Sequence, residues 1–180
     1  ASSGTLPDEE IMQWLIHFRL LCALAATAVV GLLGFGFYLQ YGLQLEPCPL
    51  CIAQRIVFLA TGLVFFCAAL VNPGSVGRLV TSLVALPLAL LGAAMAARQV
   101  WLQHLPPDQV AGCSFGLDFM LEAFPLWEVI LITLQGTGDC AEIQWVFLGL
   151  TIPGWSLVAF SGLALLSLWL ILIRSKAPTK

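Results

Sequence analysis

Four apolar stretches, each long enough to cross a bilayer as a helix, restrict this chain to a narrow set of folds. They run from about Phe18 to Tyr38, Leu50 to Val71, Leu79 to Trp101 and Pro153 to Ile173, and about 20 predominantly apolar residues suffice for one crossing. Pro153 suits the first turn of the last stretch. Pro87, inside the third, is tolerated where neighbouring helices satisfy the freed carbonyl. A water-soluble fold fails on composition, because 60% of the 180 residues are apolar and only 9% are charged, too few to clothe a solvated surface. Disorder fails on the same ground. The net charge of −3, with no basic cluster, argues against nucleic acid as a partner. The expectation is an all-α membrane protein, a four-transmembrane-helix bundle forming one integral-membrane domain over residues 1–180.

The connections are unequal. Asn72 to Arg78 reads as a tight turn rich in helix breakers, residues 39–49 as a short loop, and residues 102–152 as a long one that holds most of the polar chemistry. Arg19, Arg78, Arg174, Lys176 and Lys180 fall on one side, whereas Arg55 and Arg98 lie within spans. By the positive-inside rule both termini are then cytoplasmic and the two larger loops face outward. The first apolar run is too long for a signal peptide and lacks a small-residue cleavage site, so it serves as its own anchor. Between Phe115 and Leu134 the long loop is apolar but broken by Asp118, Glu122, Pro125 and Glu128, which predicts a helix lying in the interface. Trp101, Trp145 and Trp155 suit an aromatic belt at the outer face, and Trp127 the interfacial helix.

Six cysteines divide by depth. Cys48 and Cys51 stand at the outer mouth of the second span, and Cys113 and Cys140 in the long outer loop. Cys22 and Cys67 lie inside spans. Cys67 is about 24 Å along the helix from Cys51, so both inner cysteines read as packing residues. Four outward thiols in an oxidising compartment make two disulfides. Passive staples, a metal site and a redox relay are the chemistries open to them, and a closed zinc site requires four gathered ligands with no evident role so near lipid. The run Cys48-Pro49-Leu50-Cys51 favours the relay. Pro49 suits the opening helical turn, so Cys48 takes the cap and Cys51 the first turn, where unpaired N–H groups and the helix dipole favour a thiolate. Arg55 falls on the same helical face, a cation with no evident carboxylate nearby; its plainer reading is snorkelling to headgroups. A relay needs an accessible disulfide for an incoming thiolate, which Cys113 and Cys140 are placed to present, and a stronger oxidant to drain it. At the membrane face a lipid-soluble quinone fits that need, with Arg55 suited to stabilise charge developing on a quinone oxygen.

The segment Cys48-Pro49-Leu50-Cys51-Ile52-Ala53-Gln54-Arg55 resembles the C-x-L-C-I-x-x-R signature of the disulfide-bond formation protein B (DsbB) family. The segment Gly138-Asp139-Cys140-Ala141-Glu142-Ile143-Gln144-Trp145-Val146-Phe147-Leu148-Gly149-Leu150, followed by Pro153 and Trp155, is similar to that family's G-D-C-A-E-x-Q-W-x-F-L-G-L run. The likeness covers nearly the whole chain after about residue 12. It implies a protein-dithiol:quinone oxidoreductase of the bacterial inner membrane, using ubiquinone or menaquinone to reoxidise a periplasmic DsbA-like thiol oxidase. It further implies disulfides Cys48–Cys51 and Cys113–Cys140. Cys113 then forms the mixed disulfide with the partner, Cys140 exchanges with Cys48, and Cys51 faces the quinone in charge-transfer contact, with Arg55 as polar clamp. For the family's quinone-proximal histidine, His104 is the candidate. Gln54 stands where some relatives carry an acidic residue. Alternative readings are a paralogue serving a dedicated partner, a vitamin K epoxide reductase-like enzyme, from which the second run points away, and a non-enzymatic membrane protein with two structural disulfides.

Overall fold

The computed structural model describes residues 8–106, 117–136 and 138–175. Its elements are α1 (Asp8–Gly42), α2 (Pro49–Val71), α3 (Ser75–Leu102), α4 (Leu117–Ala123), α5 (Leu126–Gln135), α6 (Gly138–Ala141), β1 (Val146–Phe147), β2 (Leu150–Thr151) and α7 (Ile152–Ser175). Four of these carry apolar segments long enough to span a membrane: His17–Gly42, Pro49–Val71, Val76–Leu102 and Ile152–Leu172. The fold is thus the expected four-helix membrane bundle. α2 packs between α1 and α3, and α3 packs along α7.

Each span meets the demand that lipid places on polar groups. Hydroxyls of Thr61, Thr81, Ser82 and Ser167 donate to the carbonyls of Val57, Gly77, Arg78 and Leu163, one turn back, so these groups are not left bare in an apolar medium. Outward faces are apolar: Val30, Leu59 and Leu165 are each at least 60% exposed, as lipid contact requires. α2 ends at Asn72, whose left-handed backbone (φ 44°) lets its N–H return to the Ala68 carbonyl.

The α2–α3 turn is shorter than the breakers suggested. Residues Ser75 to Arg78 are already helical, with Gly74 in the extended conformation ahead of them. Arg78 donates from Nε to the Pro73 carbonyl at 3.0 Å and lies 5.1 Å from the centre of the Phe18 ring, joining α3 to α1.

Two small residues set how closely the helices approach. A methyl group on Gly62 would meet Val29 of α1 at 2.7 Å. Gly92 of α3 lies directly against the Phe160 ring of α7, leaving no room for a Cβ. Phe160 in turn stacks on Phe58 of α2, with ring centroids 3.7 Å apart and planes inclined by 13°. One ring therefore joins three helices through a position that only glycine fits.

The interfacial helix differs from expectation. It is two helices, α4 and α5, broken at Phe124-Pro125, because proline disfavours helical backbone in the residue before it. α5 exposes Leu126, Trp127 and Ile130 while burying Val129 and Thr133, an apolar outer face suited to a membrane interface. Its end is tied to α3, where Arg98 donates to the Gln135 carbonyl at 3.1 Å and lies 4.4 Å from the Trp101 ring centre.

Residues 146–151 form a hairpin, unforeseen from sequence, with Val146 opposite Thr151 and Phe147 opposite Leu150. Leu148 (φ 50°) and Gly149 (φ 80°) make its two-residue turn, and positive φ at both positions is what the twist of a tight hairpin requires.

Gly92→Ala should lower the thermal midpoint of the detergent-solubilised protein, at a cost of about 1–3 kcal/mol from overpacking. The same exchange at an unconstrained helical site stabilises by up to about 1 kcal/mol, so an unchanged or raised midpoint would show that Phe160 yields freely.

Candidate functional site

The site is built on the first turn of α2. Cys48 has extended backbone (φ −66°, ψ 160°) and caps the helix, its sulfur accepting the Cys51 N–H at 3.4 Å, and Pro49 occupies the first helical position. This is the arrangement that the Cys-Pro-Leu-Cys spacing predicts. It leaves the two sulfurs 3.0 Å apart, with Cys48 Sγ donating to Cys51 Sγ.

α6 brings Cys140 to the same place. Cys140 is fully buried in a cluster with Cys48, Leu50, Met95 and Leu102, and its thiol hydrogen-bonds with that of Cys48. Hydrogen bonding to Cys140 and to Cys51, together with burial, holds the Cys48 thiol above the ordinary thiol range. Cys48 therefore keeps its proton and stands between two other sulfurs, the contact order that thiol–disulfide exchange uses.

Two buried amides complete this cluster. Gln99 of α3 donates from Nε2 to Cys51 Sγ at 3.1 Å and to Cys48 Sγ at 3.3 Å. Its Oε1 accepts from Gln54 Nε2 at 2.7 Å. Both glutamines are only 3% exposed.

Beside the sulfurs opens a cavity of about 490 Å³ at the end of the bundle that carries the α1–α2 loop and the hairpin. Cys51, Gln54, Arg55 and Gln99 form its polar side. Phe35, Trp145, Phe147 and Trp155 form its aromatic side. Those rings support one another: Trp145 meets Phe35 edge-on at 5.6 Å and stacks with Phe147 at 5.7 Å, while the Trp155 indole donates to the Phe147 carbonyl at 3.1 Å. Gln144 donates to the Glu46 carbonyl at 3.1 Å and fixes the hairpin side to the α1–α2 loop. Volume, apolar walls and a few convergent donors match a small-molecule site, and the set suits a flat conjugated ring bearing carbonyl oxygens.

Arg55 is held by α1. Its guanidinium donates to Gln40 Oε1 and to the Gly36 carbonyl, the latter at 3.0 Å, and lies 5.2 Å from the Phe37 ring centre. These partners are neutral, so they aim the cation without cancelling its charge.

The sequence reading thus finds Cys48, Cys51, Cys140 and Arg55 together. His104 is not brought to this cavity: it is exposed, and its Nδ1 turns back to the Val100 carbonyl at 2.7 Å, one turn earlier. Cys113 lies outside the described residues. Cys22 is a core packing residue as expected, whereas Cys67 is exposed on the outer face of α2. Trp145 and Trp155, read as belt residues, line the cavity; Trp101 does not. Sequence reasoning overlooked Gln40 and Gln99 and saw Gln54 only as a missing carboxylate. The available signal was a polar side chain inside an apolar span, which is by default a functional position.

The sequence profile described as disulfide bond formation protein DsbB matches residues 18–170. Among similar proteins, disulfide bond formation protein B of Hahella chejuensis is 57% identical over 149 residues, covering 83% of this chain and 90% of that relative. The protein of the same description from Nitrosococcus oceani is 52% identical, covering 83% and 84%. That of Methylococcus capsulatus is 44% identical over 164 residues, covering 91% and 94%.

In the fully reduced protein at neutral pH, iodoacetamide should modify half-buried Cys51 before buried, proton-retaining Cys48. Since the Cys48 proton leaves only above the ordinary thiol range, labelling there should rise at alkaline pH. Peptide mass spectrometry across pH reads both, and equal labelling of the two at neutral pH would contradict the assignment.

Proposed function

The chain belongs to the disulfide bond formation protein DsbB family, and from that premise we propose that it reoxidises a periplasmic thioredoxin-like dithiol oxidase of the DsbA type and passes the electrons to a membrane quinone. The observation that carries this reading is the meeting of Cys51 and Arg55 on one aromatic-walled cavity, next to the buried contact of Cys48 with Cys140. The setting is the bacterial inner membrane, with both termini cytoplasmic and the cysteine-bearing loops periplasmic, in keeping with the placement of Lys and Arg.

Cys113 and Cys140 form the disulfide that the partner meets. A partner thiolate attacks Cys113, the Cys113–Cys140 bond breaks, and Cys140 leaves as the thiolate. Cys140 attacks Cys48 of an oxidised Cys48–Cys51 pair, and Cys51 leaves. The partner's second thiol displaces Cys113, which then reclaims Cys140 and frees Cys48. The partner departs as a disulfide, and its two electrons reside on Cys48 and Cys51. A quinone, ubiquinone or menaquinone, held between Arg55 and the aromatic wall would supply the sink for the two electrons and two protons released when the Cys48–Cys51 bond re-forms. Arg55, steadied by Gln40 and Gly36, stabilises negative charge at an oxygen within the cavity. Cys48 holds a proton at Sγ while Cys51 carries the charge. The rings of Phe35, Trp145 and Phe147 exclude water.

Purified protein supplied with reduced partner should consume quinone in proportion to the disulfide made. Cys113→Ser should block partner oxidation, and a partner lacking its resolving cysteine should be trapped on Cys113. Cys51→Ser should abolish quinone reduction. Full turnover by both serine variants would leave only the reading of two structural disulfides.

Arg55→Ala should raise the apparent KM for quinone by about tenfold, the scale of one charge-assisted hydrogen bond. Arg55→Lys should fall between, since a point charge replaces a planar fork of donors. An unchanged constant in steady-state kinetics would remove the clamp.

A further inference from the structure

We propose that Gln99 is a catalytic residue of the exchange at Cys48–Cys51, its amide N–H groups forming a fixed donor site for sulfur charge, and that Gln54 is the positioning residue that sets its orientation. This inference rests on the redox reading of Cys48 and Cys51. It goes beyond that reading because neither glutamine belongs to the cysteine relay or to the Arg55 clamp.

An amide buried in an apolar surround is unfavourable unless its donors and acceptors are engaged. Gln54 and Gln99 come from different spans, are almost entirely buried, and bond to each other at 2.7 Å. Their pairing leaves the Gln99 amine aimed at Cys51 Sγ (3.1 Å) and Cys48 Sγ (3.3 Å). A thiol or disulfide sulfur is a weak acceptor, whereas hydrogen bonds to an ionised acceptor are about twice as strong as neutral ones. The Gln99 amine is therefore poorly satisfied while the sulfurs are neutral and well satisfied once charge appears on one of them. A donor whose bond strengthens only as the reaction proceeds lowers the barrier rather than the ground state.

Gln54 decides which end of Gln99 meets the sulfurs. A glutamine side chain presents either a carbonyl oxygen or an amine to its neighbours. Because Gln54 Nε2 donates to Gln99 Oε1, the oxygen is occupied and the amine faces Cys48 and Cys51. The reversed orientation would set a partial negative charge against a forming thiolate. The Cys51 backbone N–H also serves this pair, donating to Cys48 Sγ at 3.4 Å. Among the described residues, the titratable and charged groups around Cys51 are Cys48 at the cap of its own helix, Cys140 on α6 and, one turn on, Arg55, whose guanidinium is turned to Gln40 and Gly36.

The test uses the full chain, reduced, in quinone-free detergent, with iodoacetamide as probe and peptide mass spectrometry reading Cys51. Gln99→Met should slow alkylation of Cys51 at neutral pH by about tenfold and displace its rate–pH profile to higher pH by about one pH unit, since one tenfold step in an ionisation equilibrium corresponds to one unit. Gln99→Asn keeps an amide in the span but withdraws it by one methylene, so it should behave likewise and guards against a misfolded Met variant. Gln54→Leu should slow the reaction about threefold, on the order of a mispositioned rather than a lost donor. The double variant Gln54→Leu/Gln99→Met should match Gln99→Met alone, because a group acting through Gln99 has no effect once Gln99 is gone. A wild-type profile in a folded Gln99→Met or Gln99→Asn protein overturns the proposal, and additive losses in the double variant overturn the role of Gln54. Neither quinone nor partner enters this measurement. Failure of wild-type protein to reduce quinone would instead sink the redox reading.

Discussion

The start of α2 is the constraint on which the rest of the molecule depends. Extended backbone at Cys48 followed by Pro49 begins a spanning helix at its N-terminus, so both sulfurs sit where the helix presents unpaired N–H groups and where protein meets lipid. Cys51 then faces inward toward the cavity, Gln54 lies one turn deeper, and Arg55 points to α1. A helix begun one residue later would turn each of these groups by about 100° around the axis and separate them. The chemistry is thus set by where a helix starts more than by any single contact.

Around that start, the bundle serves to keep the cavity apolar on one side and polar on the other. The aromatic side combines Phe35 of α1 and Trp155 of α7 with Trp145 and Phe147 from the stretch that follows α6, so the segment that carries Cys140 also builds part of the cavity wall. The polar side consists of neutral amides and one cation aimed by neutral oxygens. Among the described residues no acidic side chain lines this cavity, so nothing there cancels the Arg55 charge.

Much of this was legible in the order of residues, and the limits have physical reasons. The spans follow from length and hydropathy, which in lipid leave few alternatives to helix. The cap at Cys48 and the turn at Pro49 follow from local backbone rules, and so does the face shared by Cys51 and Arg55. Pro125 was itself the cue for the break between α4 and α5, but the apolar run around it outweighed that cue. The pairing of Gln54 with Gln99 joins residues on different helices and depends on how α2 and α3 pack, which periodicity does not encode. His104, the candidate for the family's quinone-proximal histidine, turns its Nδ1 to the Val100 carbonyl one turn back, a local bond that its place near the end of the third span does not reveal. The hairpin was hidden because Leu148 takes a left-handed conformation that its side chain disfavours.

Cys22 and Cys67 show what separation by depth accomplishes. One is sealed in the core and the other looks outward from the far part of α2, about 24 Å along the helix from Cys51. In the proposed relay, any thiol within reach of the exchanging sulfurs would offer a detour. Depth in the bundle acts as insulation there: Cys67 is kept off the circuit by distance and Cys22 by burial, without any need to remove them.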